Sequence, residues 1–164
     1  MNLLDITLVL ATLFCTLIAG LVFGFTTVIM PGLAALDDRQ YIRSFQVIDG
    51  VIQRGQPIFG VVWLGSTVAI VVAAAIGIQQ LDGIERLLVI AGALAYLVGV
   101  QAPTFIVNVP LNNAIQKVDV DGLDDAAMAA ARLAFERRWV RWNTIRTIVA
   151  TAVSAIMMII LLLL

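Results

Sequence analysis

Four apolar runs, each long enough to cross a membrane as a helix, dominate this sequence. They cover residues 6–30, 57–78, 87–107 and 142–164. At a rise of about 1.5 Å per residue, roughly 20 residues of helix span a hydrocarbon core about 30 Å thick. Because backbone groups in lipid must be satisfied within the protein, the runs predict an all-α integral membrane protein, a four-helix bundle built as a single domain over residues 1–164.

The basic residues between these runs indicate the orientation of the bundle. With alternating crossings, residues 31–56 and 108–141 share one side, and residues 79–86 share the other side with both termini. The second side carries Arg86, whereas the first side carries Arg39, Arg43, Arg54, Lys117, Arg132, Arg137, Arg138 and Arg141. The positive-inside rule then predicts a multi-pass protein of the plasma (inner) membrane, with cytoplasmic long loops and both termini outside. The first run lacks a basic leader, so we expect a retained helix rather than a signal peptide.

Composition excludes several classes of function. The chain is 62% hydrophobic, and its ten basic residues are matched by eleven acidic ones, so nothing favours a nucleic-acid partner. Histidine is absent, which removes the commonest metal ligand and the commonest general base. Cys15 is the single cysteine, so no disulfide forms within the chain. We predict no metal and no cofactor, and membrane lipid as the general partner.

Two segments outside the runs also have helical patterns. Tyr41, Phe45, Ile48 and Ile52 recur at three- and four-residue spacings, as in an amphipathic helix that lies on the membrane or caps the bundle. In residues 121–143 the acids come first and the arginines last, which suits the helix dipole. We predict an added amphipathic cytoplasmic helix and a long fourth helix that extends into the cytoplasm.

Small residues recur at helical spacing within the runs. The rows are Gly20 and Gly24, then Ala91, Ala95 and Gly99, then Ala150 and Ser154. Such rows let helices approach closely. We favour packing within the bundle, with homo-oligomerisation through these Gly/Ala faces as the alternative.

Polar residues far apart in the sequence should meet at the cytoplasmic end of the bundle, where the first and third runs end and the second and fourth begin. Pro103 leaves the carbonyl near Gly99 without its usual helical donor, and nearby asparagine amides can compensate. The expected cluster comprises Thr26, Thr27, Gln46, Asp49, Asn108, Asn112, Asn113, Asn143 and Arg146.

Arg146 lies one turn inside the fourth run and shares a helical stripe with Trp139, Trp142 and Asn143. A cation at this depth needs a partner, and Asp49 is the nearest acid by topology. Two interpretations stay open. In the first, Arg146 holds an anionic or enolic ligand. In the second, its side chain extends to the membrane interface and anchors the helix beside the tryptophans.

Four sequence blocks carry a resemblance to a known family. GFTTVIMPGLAAL at 24–36, FQVID at 45–49, NVPLNNAI at 108–115 and RWVRWNTIRT at 138–147 resemble the recurring blocks of the anthrone oxygenase-like membrane proteins. The resemblance implies a small four-span protein. It also implies an activity, since fungal members oxidise anthrones to anthraquinones with dioxygen and without an evident cofactor, whereas most bacterial members have no assigned substrate.

Carried over residue by residue, the resemblance implies site positions at Met30, Pro31, Gln46, Asn108, Pro110, Asn112, Trp139, Trp142, Asn143 and Arg146. One position departs from the expected pattern. Where a Q-x-I-N block is expected, this chain has QVID, so the carboxylate of Asp49 replaces an amide.

A cofactor-free oxygenase needs a base, a group that stabilises an anion and a dry cavity. For this mechanism we predict Asp49, although it departs from the family pattern, as catalytic base and Arg146 as catalytic anion stabiliser. The alternative is that Asp49 simply pairs with Arg146, which would weaken it as a base. The amides would orient the oxygens of a hydrophobic aromatic or quinoid substrate, and the tryptophans would stack on its rings. The implied substrate-binding residues are Gln46, Asn108, Asn112, Trp139, Trp142 and Asn143.

The alternative function is non-catalytic. The chain would then be a lipid- or quinone-binding protein, or an accessory subunit, and the asparagines with Arg146 would form a structural network that closes the bundle. A channel or carrier is disfavoured, because four spans with few midplane polar groups leave little for a pathway.

Overall fold

The computed structural model describes residues 2–164, and within that range the chain forms five helices and no strand. Their bounds are α1 Leu3–Ala34, α2 Asp38–Gln53, α3 Pro57–Gln80, α4 Gly83–Gln116 and α5 Asp125–Leu163. All but α2 are long and apolar enough to cross a membrane. The predicted all-α membrane bundle, with an added amphipathic helix and a long last helix, is confirmed.

Side-chain caps determine where most of the helices begin. Asn2 and Asp5 form a reciprocal capping box at the start of α1, with bonds of 2.8 and 2.9 Å. The side chains of Asp37, Gln56 and Asp124 each accept a backbone N–H in the first turns of α2, α3 and α5. These bonds satisfy donors that a helix start otherwise leaves free.

The four spanning helices form a ring, in which α1 packs against α3 and α5, and α4 also packs against α3 and α5. The core between them is apolar, with Leu8, Cys15 and Ile70 among its fully buried side chains. A buried hydroxyl pair crosses it, since the Tyr96 hydroxyl donates to Ser66 Oγ at 2.7 Å.

A second layer covers one end of the ring, called the α2 end below. It consists of α2 and the N-terminal part of α5, and aromatic side chains fill it. The ring of Phe45 packs edge-on against Phe135 and Trp139, with centroids 4.6 and 5.4 Å apart. Because α5 has 39 residues, its length is about 58 Å, nearly twice the thickness of a hydrocarbon core.

Arg132 fixes α5 to the connection between α1 and α2. Its Nη1 donates to Leu36 O at 2.9 Å and to Asp38 Oδ1 at 3.0 Å, and its Nη2 donates to Ala34 O at 3.1 Å. Its Nε donates to Glu136 Oε2 at 2.8 Å. These bonds satisfy carbonyls at the C-terminal end of α1 and hold the second layer in place.

Three π-helical turns widen the helices near prolines. They are Phe25–Ile29 in α1, and Leu97–Gln101 and Thr104–Asn108 in α4. The first precedes Pro31 and the others flank Pro103, whose ring would clash with a carbonyl in a regular helix. The expectation that asparagines compensate near Pro103 is wrong, because the side-chain amides of Asn108 and Asn112 donate to Trp139 O and Asp49 Oδ1 instead.

The small residues divide into two groups. At Gly99 an added Cβ atom would meet Val149 Cγ1 at 2.7 Å, so α4 approaches α5 closely there. At Gly20 and Gly24 nothing lies within 4 Å of such an atom. The interpretation of the Gly20–Gly24 pair as a packing contact within the bundle is therefore wrong, and homo-oligomerisation stays a prediction.

Candidate functional site

A cavity of about 320 Å³ lies at the α2 end, with lining residues from all five helices. This volume is at the low end of the roughly 300–1,000 Å³ found for small-molecule sites. The walls are mainly apolar and aromatic. The polar lining residues are Asp49 and Gln53 of α2, Thr104, Asn108 and Asn112 of α4, and Asn143 and Arg146 of α5.

Asp49 is 3% exposed, and amide side chains donate to both of its carboxylate oxygens. Asn112 Nδ2 donates to Oδ1 at 2.7 Å, Gln116 Nε2 donates to Oδ2 at 2.9 Å, and Gln53 Nε2 donates to Oδ2 at 3.2 Å. A carboxylate has about four acceptor positions. The three amide donors therefore occupy three of these positions and leave one for a further donor.

Asn112 links Asp49 to Trp139. The indole Nε1–H of Trp139 donates to Asn112 Oδ1 at 2.6 Å, while Asn112 Nδ2 donates to Asp49. Because the indole can only donate and the carboxylate only accept, these two bonds fix the direction of the amide. The indole ring is held between Phe25 and Phe45, at centroid distances of 5.5 and 5.4 Å, and forms a firm wall of the cavity.

Two buried polar atoms at the cavity have no hydrogen-bond partner within residues 2–164. They are Arg146 Nε and Asn108 Oδ1. Asn108 is 2% exposed, and its Nδ2 donates to Trp139 O at 3.4 Å. No salt bridge joins Arg146 to Asp49, or to any other acid in the described chain. A buried unsatisfied group costs about 1–3 kcal/mol, so a ligand that supplied one acceptor and one donor would relieve both.

Asn143 holds α5 against α1 beside the cavity. Its Nδ2 donates to Val22 O at 2.9 Å and to Thr26 Oγ1 at 2.8 Å. The hydroxyl oxygens of Thr26 and Thr147 are 3.0 Å apart. Since Thr26 belongs to the π-helical turn of α1, these bonds fix the position of that turn.

Gln46, a predicted substrate-binding residue, does not line the cavity. Its Nε2 donates to the backbone carbonyls of Ile115 and Val118, at 2.8 and 3.0 Å. These carbonyls lie at and just beyond the C-terminal end of α4, where carbonyls lack the regular helical donors, and Ile115 O also accepts from the Val118 backbone N–H at 3.2 Å. Gln46 therefore fixes α2 to α4.

Trp142, also predicted to bind substrate, lies away from the cavity. It lines a surface groove with Arg137, Arg138 and Arg141. At about 100° per residue, Trp142 lies some 60° from Trp139 around the axis of α5. Asn143 lies about 40° from Trp139 in the other direction. The predicted stripe was thus too broad, since Trp139, Asn143 and Arg146 line the cavity and Trp142 does not.

The sequence patterns did not single out the contribution of α3. Phe59 and Trp63 both line the cavity, and Trp63 packs edge-on against Phe105 of α4 with centroids 5.2 Å apart. Neither residue was among the predicted site residues. Their position within about two turns of Pro57 was the available signal, because the topology places that start of α3 at the α2 end.

The chain matches a known protein family. A family model described as anthrone oxygenase matches residues 49–156, more than half of the chain, and the match begins at Asp49. No curated protein and no solved structure matches the chain. Within residues 2–164, no three potential metal ligands are grouped closely enough to hold an ion.

Proposed function

The chain belongs to the anthrone oxygenase family, and on this premise we propose that its cavity binds a planar, hydrophobic aromatic or quinoid molecule and oxidises it with dioxygen. The observation that carries the proposal is the pair of unpartnered atoms, Arg146 Nε and Asn108 Oδ1, in an aromatic-walled cavity. The Arg146 donor suits a carbonyl or enolate oxygen, and the Asn108 acceptor suits a phenolic hydroxyl.

For an anthrone the atoms of this reaction balance without a further reactant. The methylene carbon between the rings loses a proton to a base, and the resulting enolate transfers electrons to dioxygen. Protonation gives a hydroperoxide on that carbon, and loss of water from it leaves the second carbonyl of a quinone. One oxygen atom enters the product and the other leaves as water with the two methylene hydrogens.

In the proposed reaction the lining residues have different roles. Arg146 stabilises the enolate oxygen as charge develops there. Asp49 accepts the methylene proton at its remaining acceptor position. Trp139 and Trp63 flank the flat rings and keep water from the carbanion.

A second candidate function is non-catalytic binding of a quinone or lipid. The three amide donors on Asp49 favour it, because they already occupy three of the roughly four acceptor positions of the carboxylate. In this case the same cavity would hold its ligand without chemical change.

Oxygen consumption by the purified protein with an anthrone tests the proposal. We expect uptake by the wild type and a loss of roughly 10²–10³-fold in Arg146→Ala, as for removal of an oxyanion donor. Arg141→Ala is the matched control, since Arg141 is on the same helix but lines a surface groove instead, and its uptake should be unchanged.

The thermal stability of the same variants separates the alternatives. Arg146→Ala should melt near the wild-type temperature, because nothing within the described chain bonds to Arg146 Nε. Quinone binding without oxygen uptake by the wild type would favour the second candidate. A sharp fall in the melting temperature of Arg146→Ala, with no uptake by either protein, would instead indicate a structural network.

A further inference from the structure

The backbones of α3 and α4 diverge toward the α2 end. Close backbone packing between them is concentrated in the part of α4 from Gly83 to Tyr96. Beyond it, side chains bridge the two helices, through the bond of 2.7 Å from Gln101 Nε2 to Thr67 Oγ1 and through the Trp63–Phe105 ring contact. The wide π-helical turns of α4 lie in this diverging part.

The gap between α3 and α4 leads into the cavity. Phe59 and Trp63 of α3 and Phe105 and Val109 of α4 all line the cavity, and the rings of Trp63 and Phe105 are in contact across the gap. Phe105 is 57% exposed and Val109 is 36% exposed, although both belong to the cavity wall. The cavity therefore reaches the surface of the bundle between these two helices.

The surface around the gap is apolar. Ile58 and Val61 flank it and are 70% and 64% exposed. Large apolar side chains on the outer face of a membrane span contact hydrocarbon. The gap accordingly opens into the bilayer rather than into water.

Three polar groups of the cavity are buried, whereas Gln53 of α2 is exposed. Asp49 and Asn108 are 3% and 2% exposed, and the Arg146 Nε is buried. A molecule in the cavity thus has a polar environment at its inner side and aromatic rings at the side toward lipid.

From this arrangement we infer that the ligand reaches the cavity sideways from the bilayer, through the α3–α4 gap, and stays oriented with its oxygens at Arg146 and Asn108. Any hydrocarbon substituent then lies in the gap beside Phe105. The ligand class is an aromatic ketone, phenol or quinone that resides in the membrane and carries an alkyl or isoprenoid chain. This inference rests on the proposed binding of an aromatic molecule in the cavity.

Quinone quenching of tryptophan fluorescence in lipid nanodiscs tests the access route. The probes are a benzoquinone with a long alkyl chain and the same ring with a methyl group instead. Trp63 and Trp139 line the cavity, and a Trp142→Phe background removes the tryptophan outside it. We expect saturable quenching, with tighter binding of the long-chain probe after correction for its partitioning into lipid.

Blocking the gap provides the decisive comparison. A bulky maleimide is attached to Phe105→Cys and, as the matched control, to Ile106→Cys, which is exposed on the same helix but does not line the cavity. Native Cys15 is fully buried and does not react. We expect quenching to begin about tenfold more slowly in modified Phe105→Cys, and unchanged in modified Ile106→Cys.

The outcomes separate this inference from the proposed function. Saturable quenching whose rate is the same in both modified variants would overturn the route through the gap and leave the binding site standing. Equal affinity for both probes would overturn the assignment of a chain-bearing ligand. Absence of saturable quenching in the unmodified protein would overturn the binding site itself.

Discussion

The surroundings of Asp49 allow its two possible roles to be tested separately. Its carboxylate accepts three amide hydrogen bonds and also faces the cavity. As a structural acceptor it would matter for stability alone. As a base it would matter for oxygen consumption in protein that is fully folded.

Asp49→Asn replaces one carboxylate oxygen by a donor of the same shape. We expect oxygen consumption with an anthrone to fall about 10²-fold or more, the usual contribution of a general base. The melting temperature should also fall, because the new amide donor faces the donors of Asn112, Gln116 or Gln53. A buried donor left without an acceptor costs about 1–3 kcal/mol of stability. Uptake is therefore measured well below the melting temperature of the variant.

Gln53→Ala is the control for this substitution. It removes the longest of the three bonds to Asp49, 3.2 Å, and keeps the carboxylate, so uptake should change little. Wild-type uptake in folded Asp49→Asn would contradict the role of Asp49 as base.

Sequence patterns predicted which polar residues meet but not how they bond. The alternation of crossings was enough to bring Asp49, Asn108, Asn112 and Arg146 to one cavity. The bonds of Gln46 to backbone carbonyls were beyond prediction, because an amide side chain suits a ligand and a helix end equally well.

The α4–α5 interface depends on a close backbone approach at Gly99. An added Cβ would lie 2.7 and 3.0 Å from the two γ-methyl groups of Val149. Valine is branched next to its backbone and cannot swing these methyl groups away freely. At Gly20, by contrast, no atom of a neighbouring helix lies within 4 Å of an added Cβ.

Gly99→Ala and Gly20→Ala should therefore shift stability in opposite directions. Overpacking at Gly99 costs about 1–3 kcal/mol, which outweighs the roughly 0.5–1 kcal/mol gained when alanine replaces a helical glycine. Gly20→Ala should raise the free energy of unfolding by this gain, because it adds no overpacking. Thermal unfolding in detergent measures both, and a fall of similar size in the two variants would contradict the packing described for α1.

Helices were predicted better than their internal irregularities. Apolar length fixed the existence of the four spans, and the order of charges indicated the continuous helix α5. The π-helical turns were not predicted, since Pro103 indicates a disturbed helix without specifying how the backbone adapts.

At the scale of the whole molecule, the polar chemistry is concentrated at one end. The cavity, the amphipathic helix α2 and the bonds of Arg132 all lie at the α2 end. Which side of the membrane this end faces decides where a product would be released. The positive-inside rule predicts the cytoplasmic side.

Labelling of single cysteines with a membrane-impermeant thiol reagent tests this orientation. Lys117 is at the α2 end and Gln79 at the opposite end, and both are exposed. We expect Gln79→Cys to react in intact cells and Lys117→Cys to react only after permeabilisation. Native Cys15 is buried and gives no background. The reverse pattern would contradict the predicted orientation.

The π-helical turns of α4 also have a consequence in genetic terms. Each holds one residue more than an α-helical turn needs. Deletion of a single codon within 97–108 therefore lets the backbone return to regular α-helical geometry, and the residues before and after the turn keep their orientation around the helix. The same deletion earlier in α4 would rotate every later residue by about 100° and turn Asn108 and Asn112 toward lipid. Relatives of this chain are therefore expected to differ in length at these turns, and to differ by substitution alone in the regular helix before them.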